Sequence, residues 1–222
     1  MDPTIPALLL WGMFVGVDLV SFPQIMIARP IVAGSVAGFI TGDPVGGIQI
    51  AVIMELFALE VVPVGGARYP DYGPATVAAA YAVSGSPGVL ALGLATLIGL
   101  VTAYAGGIGI QIVRRANTTD VERCRSRLDS GDRTAVRGLQ FRGITRDALR
   151  ALSVTAAGLV IGYAARQWLL VDVGDAVLLT IAAVGASLAA GLIGAMKITG
   201  RRSGVRWIAL GAISGLIWVN LL

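Results

Sequence analysis

The sequence predicts an all-α integral membrane protein, a multi-span helical bundle with short broken or re-entrant helices in its N-terminal third. Of its 222 residues, 56% are hydrophobic and only 14% are charged, and the mean hydropathy is +0.81. Soluble domains carry about 25% charged residues. The 30 glycines suit helices that pack closely in lipid, where small residues let backbones approach. These features exclude an ordinary soluble globular domain.

The apolar segments of the chain differ in length. A membrane-spanning helix needs roughly 20 residues, because it rises about 1.5 Å per residue through a core about 30 Å thick. Some segments meet this length, but 30–41 and 75–87 are too short and are bounded by Gly, Pro and Asp. Such segments are typical of half-helices whose ends face a substrate in transporters; the alternative is an ordinary bundle with proline kinks. The segments are 5–21, 30–41, 45–63, 75–87, 88–113, 151–171, 176–196 and 207–222.

Residues 114–150 differ from the rest of the chain, with ten arginines against five acids. The positive-inside rule places this stretch in the cytoplasm. A second basic cluster follows two spans later, on the same side: Lys197, Arg201, Arg202 and Arg206. We expect an N-terminal membrane half (1–113) with the re-entrant segments, a basic cytoplasmic loop (114–150) and a C-terminal membrane half (151–222).

The N-terminus has no basic region and no small-residue cleavage site, so we expect a retained first span and not a signal peptide. In counting the spans back from the cytoplasmic loop, we expect this span to start inside the cell. Segment 5–21 would then run outward.

The basic loop has two interpretations. One is a topology anchor with a solvated helical face, which its alternating charges favour. The other is a docking surface for a cytoplasmic partner, with Arg123, Arg125 and Arg127 as the contact residues. A nucleic-acid interface is not favoured, because Phe141 is the loop's one aromatic residue and no known module is present.

Several kinds of site are excluded by residue usage. Cys124 is the one cysteine, so no disulfide forms within the chain, and there is no histidine to act as phosphate carrier, acid/base group or metal ligand. The sequence GGIGI (106–110) lacks the lysine of a phosphate-binding loop. The small-residue spacing of GSVAG (34–38) indicates helix packing. We predict no cofactor and no metal.

Polar residues within the apolar segments cluster before residue 75, so we expect the functional site in this third of the chain. A carboxylate at a helix centre costs about 2.5–3.5 kcal/mol on insertion scales, and such groups usually face a cavity or a partner. Carboxylates and amides of this kind bind the hydroxyls of a polyol, and an acid in a dry site also suits a proton-coupled carrier. The residues are Asp18, Arg29, Asp43, Gln49, Glu55, Glu60, Arg68 and Asp71.

Some of these residues have a simpler explanation. Asp18 lies near a segment end and reaches the interface, and Asp43 closes a Gly-Asp-Pro turn by a local hydrogen bond. Arg29 and Arg68 are interfacial anchors or countercharges for Glu55 and Glu60.

Glu55 is the residue hardest to explain without a function, because it lies about ten residues from either end of its apolar run. Glu60 is five residues further on, which is roughly 140° around a regular helix. The two carboxylates therefore do not share one narrow cavity. We assign Glu55 to the substrate and Glu60 to the rim, paired with Arg68.

The stretch IARPIVAGSVAGFITGDPVGGIQIAVIMELFALEVVPVGGARYPD resembles the IIC membrane subunit of the mannose/fructose/sorbose family of the bacterial phosphoenolpyruvate-dependent sugar phosphotransferase system. The pattern runs from Arg29-Pro30 through Gly42-Asp43 and Glu55-Leu56 to Gly65-Gly66-Ala67 and Pro70-Asp71. The family glutamate corresponds to Glu55. We expect the substrate-binding residues to be Glu55, Asp43, Gln49, Asp71 and Arg29.

The resemblance implies a sugar-translocating subunit of the bacterial cytoplasmic (inner) membrane that is not an enzyme by itself. It would pair with a IID membrane subunit in a higher oligomer and carry a hexose-type sugar, while cytoplasmic IIA and IIB proteins supply the phosphate. Two departures stand out: Glu60 replaces a glycine of the family pattern, and the chain is shorter than many members. Two other classes stay open, a proton- or ion-coupled small-solute carrier and a non-transporting membrane scaffold derived from the family.

Overall fold

The computed structural model describes residues 3–59, 67–85 and 88–169. Within these ranges the chain forms helices and no strand. The predicted segments 176–196 and 207–222, the second basic cluster and Glu60 lie outside them. The helices are α1 (Thr4–Val20), α2 (Pro30–Thr41), α3 (Pro44–Ala58), α4 (Tyr72–Val83), α5 (Val89–Arg123), α6 (Arg125–Asp129) and α7 (Arg133–Leu169).

Helices α2 and α3 form a tight hairpin whose limits are set by local signals. Pro30 begins α2, where its missing N–H is no loss, and Gly42 ends it in a left-handed conformation with φ 78°. Asp43 then caps α3 by accepting a hydrogen bond from the backbone N–H of Gly46, at 2.9 Å. With 12 and 15 residues, the two helices reach only about 18 and 22 Å. The prediction that segment 30–41 forms a short helix is confirmed, whereas segment 45–63 was expected to be longer, and its residues 60–63 lie outside the described residues.

Glycines allow the two arms of the hairpin to touch. A Cβ atom on Gly38 would lie 2.8 Å from the Cα atom of Gly47, and one on Gly34 would lie 2.8 Å from the Cβ atom of Ala51. Backbone contact at this distance leaves no room for a side chain. The small-residue pattern at 34–38 therefore serves helix packing, as predicted.

Helix α4 lies at the centre of the bundle, and all 12 of its residues are buried. It packs against α1, α2, α3, α5 and α7. Its many alanine side chains are small, so neighbouring helices can pack close to its backbone. Gly158 of α7 allows one such contact, since a Cβ atom on Gly158 would lie 2.6 Å from the Cβ of Ala78. Segment 75–87 was predicted as a short helix, and the observed helix begins three residues earlier.

Helices α5 and α7 have 35 and 37 residues, which corresponds to about 52 and 56 Å. Both contain a stretch long and apolar enough to cross a membrane, and both exceed its core of about 30 Å. With α6 they turn residues 114–150 into a helical hairpin, not an irregular loop. No Gly or Pro interrupts 111–123, so α5 continues, and the expected boundaries at 113/114 and 150/151 fall inside continuous helices.

Helix α1 runs antiparallel to α7, and this corrects the expected orientation of the N-terminus. Gly12 packs on Thr155 and Gly16 on Ala151, and the Ser21 hydroxyl donates to Asp147 at 2.8 Å. The end of α1 therefore lies near the basic hairpin. With that hairpin in the cytoplasm, the start of α1 lies on the opposite side, and the expectation that it starts inside is wrong.

Candidate functional site

The predicted substrate-binding residues lie at two ends of α3. Asp43 and Gln49 are near the tip of the α2–α3 hairpin, whereas Glu55 and Arg29 are at its open end, towards the basic hairpin. Asp43 and Glu55 are twelve residues apart, or about 18 Å along a helix. The structure therefore does not bring the five predicted residues into one cluster.

Glu55 forms an ion pair with Arg29 and accepts a hydrogen bond from the backbone N–H of Ile31, at 3.1 Å. That N–H belongs to the first turn of α2, where it has no partner within the helix and where a negative charge is favoured. The side chain of Glu55 is 18% exposed and that of Arg29 is 43% exposed. Of the two interpretations of Arg29, the countercharge for Glu55 is confirmed.

A cavity of about 390 Å³ lies beside this ion pair. The volume is within the range of roughly 300–1,000 Å³ that is typical of small-molecule sites. Arg29 and Pro30 form one wall, and Ala58 lies at the end of α3. The other polar lining residues are Asp18, Gln24, Tyr69 and Tyr72. Carboxylate, guanidinium, amide and phenol groups thus surround a space large enough for a small polar molecule.

Asp18 is a functional candidate whose role the sequence analysis underestimated. Instead of reaching the interface it is 2% exposed, and its carboxylate accepts from the backbone N–H groups of Ile25 at 2.7 Å and Ala28 at 3.1 Å. It thereby folds the connection from α1 to α2 over the cavity. The available signal was an acid two residues before the end of an apolar helix, followed by Pro23.

A second cavity, of about 590 Å³, lies at the hairpin tip and is lined by Thr41, Asp43 and Gln49, with Val83 and Leu92 opposite. Asp43 makes the local turn hydrogen bond described above, so the simpler explanation of this residue is confirmed. Gln49 is exposed. This cavity holds the part of the predicted site that is furthest from Glu55.

Asp71 belongs to a buried charge network and does not line either of the two cavities described above. It pairs with Arg150, which also donates to Asp147 at 2.8 Å and to the carbonyl of Gly16 at 3.0 Å. Sequence reasoning missed Arg150 because it counted this residue with the cytoplasmic loop.

Gly106 and Gly107 of α5 lie directly against the segment that carries Asp71. A Cβ atom on Gly106 would lie 2.6 Å from the Cβ of Asp71, and one on Gly107 would lie 2.6 Å from the carbonyl oxygen of Tyr69. The glycines of the 106–110 stretch therefore let segment 69–71 pack against α5. The backbone N–H of Asp71 also donates to the carbonyl of Ala103 at 2.8 Å.

The remaining predicted residues differ in their surroundings. Arg68 is exposed and lines a third cavity, while Glu60, its expected partner, lies outside the described residues. Arg127 donates to Asp132 at 2.9 Å and to Thr134 at 3.1 Å. Arg123 is 4.0 Å from Asp120. Arg125 is exposed.

Comparisons with known proteins agree with the sequence resemblance. The family of the "PTS system sorbose-specific IIC component" matches residues 4–214. The "PTS system sorbose-specific EIIC component" of Lacticaseibacillus casei is 30% identical over 142 residues, which cover 64% of this chain and 50% of that relative. The chain thus spans about half the length of the curated relative it matches.

Two solved structures share the fold. One, described as "Structure of membrane protein", has a TM-score of 0.67 at 18% identity and covers 99% of this chain and 95% of its own. The other, the mannose transporter ManYZ in complex with microcin E492 (MceA), has a TM-score of 0.63 at 22% identity and covers 97% and 87%. Likeness at these identities establishes an all-helical integral membrane fold. With the match over residues 4–214, it follows that the chain belongs to the family of sorbose-specific IIC components of the phosphotransferase system.

Proposed function

We propose that this chain is the sugar-translocating IIC subunit of a mannose-type phosphotransferase system in the bacterial cytoplasmic membrane. It works with a IID membrane subunit, while cytoplasmic IIA and IIB proteins phosphorylate the sugar, so the chain is not an enzyme by itself. The observation that carries the proposal is the α2–α3 hairpin: it lies within the family match and holds Glu55 and Arg29 beside a cavity lined with polar groups.

The chemistry of the cavity suits an uncharged sugar. Arg29 lines the cavity, and Glu55, which lies behind it and does not line the cavity itself, balances the charge of Arg29. Sugar hydroxyls both donate and accept hydrogen bonds, and the carboxylate, guanidinium, amide and phenol groups of the lining offer both kinds of partner. A hydrogen bond to a charged group contributes roughly 1.5–3 kcal/mol. Arg29 and Glu55 are the residues we assign to the sugar at this end of the hairpin.

Asp43 and Gln49 then serve the sugar at the other end. They line the cavity at the hairpin tip, on the side away from the basic hairpin. Because they lie about 18 Å from Glu55 along α3, one sugar molecule does not contact both groups at once. We assign Asp71 a structural role, because its ion pair with Arg150 links the start of α4 to α7.

The long helices support a cytoplasmic docking surface. Since α5 and α7 are each more than 20 Å longer than the membrane core, the basic hairpin projects away from the membrane. Arg125 is exposed there, beyond the last apolar turn. We assign this end of the molecule to the phosphorylated IIB protein.

The test is sugar uptake into vesicles that contain the chain and a IID subunit, oriented with the cytoplasmic face inward and loaded with IIB and phosphorylated IIA. We expect the labelled sugar to appear inside as its phosphate, with no change when the proton gradient is collapsed. Uptake without IIB that follows the proton gradient would show an ion-coupled carrier. Folded complexes that take up no sugar under either condition would show a membrane scaffold.

A further inference from the structure

A third cavity, of about 330 Å³, lies between residues 68–70 and one face of α5. Arg68 comes from the segment before α4, whereas Gln111 and Arg115 come from successive turns of α5. Residues four apart on a helix lie about 5–6 Å from each other, so Gln111 and Arg115 present their polar ends together. No carboxylate lines this cavity within the part of the chain that the structure describes.

The cavity has more hydrogen-bond donors than acceptors. Arg68 and Arg115 are exposed and form no ion pair with a described residue. Neighbouring Arg114 differs, because it donates to the carbonyl of Ala67 at 2.8 Å and to the Tyr69 hydroxyl at 3.0 Å. The Nε2 atom of Gln111 is buried without a partner among the described residues. Within the described residues neither guanidinium group has a countercharge, which favours an anionic ligand.

An apolar stripe leads along α5 to these charges. Tyr104, Ile108 and Ile112 are 61%, 66% and 61% exposed, and all three line the same cavity. Their spacing of four residues places them on one face of the helix. The stripe belongs to the helix that is long and apolar enough to cross a membrane, and it ends one turn before Arg115. An extended acyl chain fits this arrangement, with its charged end at the arginines.

We propose that this cavity binds the phosphate group of an anionic phospholipid between Arg68 and Arg115, with one acyl chain along the Tyr104–Ile108–Ile112 stripe. Guanidinium groups bind phosphate oxygens through paired hydrogen bonds. The arginines lie at the cytoplasmic end of α5, and basic pockets between helices on that side are typical sites for anionic headgroups. A soluble anion would leave the exposed stripe unused. The site does not depend on the sugar or on its phosphorylation.

The experiment uses the purified full chain in a neutral detergent, titrated with short-chain phosphatidylglycerol or phosphatidylcholine and analysed by native mass spectrometry. We expect phosphatidylglycerol to bind more tightly. Arg68→Gln and Arg115→Gln should each weaken its binding about fivefold, and the double variant on the order of 25-fold. Arg115→Lys keeps the charge but loses the paired hydrogen bonds, so it should weaken binding less than Arg115→Gln does. The matched control is Arg137→Gln, an exposed arginine of α7 outside the cavity, which should bind as the parent does.

Two further measurements distinguish a phospholipid from a soluble phosphate ligand. Glycerol phosphate, which has no acyl chain, should not displace the lipid at comparable concentrations, and Ile108→Asn should weaken lipid binding. Equal displacement by glycerol phosphate would overturn the proposal in favour of a soluble phosphate ligand. Arginine variants that bind phosphatidylglycerol as Arg137→Gln does would also overturn it.

Discussion

Arg150 of α7 and Asp71, at the start of α4, form an ion pair in the interior of the bundle although 79 residues separate them in the sequence. Their side chains are 4% and 0% exposed. Arg150 also donates to Asp147 and to the backbone of α1 through Gly16. One guanidinium therefore joins α1, α4 and α7.

Removing Arg150 should be more harmful than removing the charge of Asp71. Arg150→Leu leaves the carboxylates of Asp71 and Asp147 buried without a cation, and breaking such a pair costs about 3–5 kcal/mol. Asp71→Asn leaves Arg150 its bond to Asp147, so its cost should be smaller. Thermal unfolding in detergent measures both, with Arg137→Gln as the control. Equal melting temperatures for Arg150→Leu and the control would contradict the role of this network.

The backbone contact between α2 and α3 should make Gly38 intolerant of any side chain. A Cβ atom there meets the Cα of Gly47 at 2.8 Å, so Gly38→Ala must push the arms apart, at a cost of about 1–3 kcal/mol. The control is Gly138→Ala in α7, where a Cβ atom meets nothing within 4 Å. That change should be neutral or stabilising by about 0.5–1 kcal/mol. A stable Gly38→Ala protein with an unchanged melting temperature would contradict the observed packing.

Glu55→Gln should weaken sugar binding roughly ten- to a hundredfold, the equivalent of one charged hydrogen bond of about 1.5–3 kcal/mol. Glutamine keeps an acceptor for the Ile31 N–H but loses the ion pair with Arg29. Arg29→Gln should have a similar effect, and the double variant should lose less than the sum, since the two residues act as a pair.

Glu60→Gln is the comparison for this assignment. We predict that Glu60 lies at the rim, where a hydrated charge contributes at most about 1 kcal/mol, so we expect a much smaller loss of affinity. Sugar binding is measured in the assembled complex with IID. A greater loss at Glu60 than at Glu55 would reverse the two roles and would place the site at the family's glycine position.

Neutralising Arg123, Arg125 and Arg127 should slow sugar phosphorylation by IIB while membrane insertion stays intact. The surface charge is screened over about 8 Å at physiological ionic strength, so the effect should fade as salt is added. Arg125→Gln should account for more of it than Arg127→Gln, because Arg127 already bonds Asp132 and Thr134. Phosphorylation rates equal to those of the parent at every salt concentration would reduce the hairpin to a topology anchor.

The stability of the turn before α7 should depend on pH only under acidic conditions. The hydroxyl of Thr134, at 2.6 Å, and the guanidinium of Arg127 hold the pKa of Asp132 well below its usual range. A carboxylate whose pKa is lowered in the folded state contributes its full stabilisation of that state at pH values above its unfolded-state pKa of about 3.9. This stabilisation is lost as the pH falls towards the folded-state pKa.

Hydrogen exchange of the amides in residues 130–135 measures this effect. We expect Asp132→Asn to exchange faster than the parent at pH 7, and the difference to shrink below about pH 4. Asp129→Asn, a change at another exposed carboxylate of the hairpin, should not show it. A difference that grows on acidification would contradict the assignment.

The sequence by itself determined the fold class, the family, the limits of α2 and the start of α3. These limits depend on local chemistry: Pro30 and Pro44 begin helices, Gly42 ends one, and Asp43 caps the next within three residues. The polar residues before residue 75 were likewise visible, as acids in an apolar stretch. Such signals need no knowledge of distant residues, because each acts over one turn of helix.

The tertiary structure alone decided which of those polar groups meet. It pairs Glu55 with Arg29 across the hairpin, holds Asp71 against Arg150, and leaves Asp43 and Gln49 at the far end of α3. It also shows that α1 runs antiparallel to α7, a direction that the charge pattern did not specify. The physical reason is that these relationships depend on which helix faces pack together. Glycine contacts such as Gly12 on Thr155 fix those faces between residues far apart in the chain.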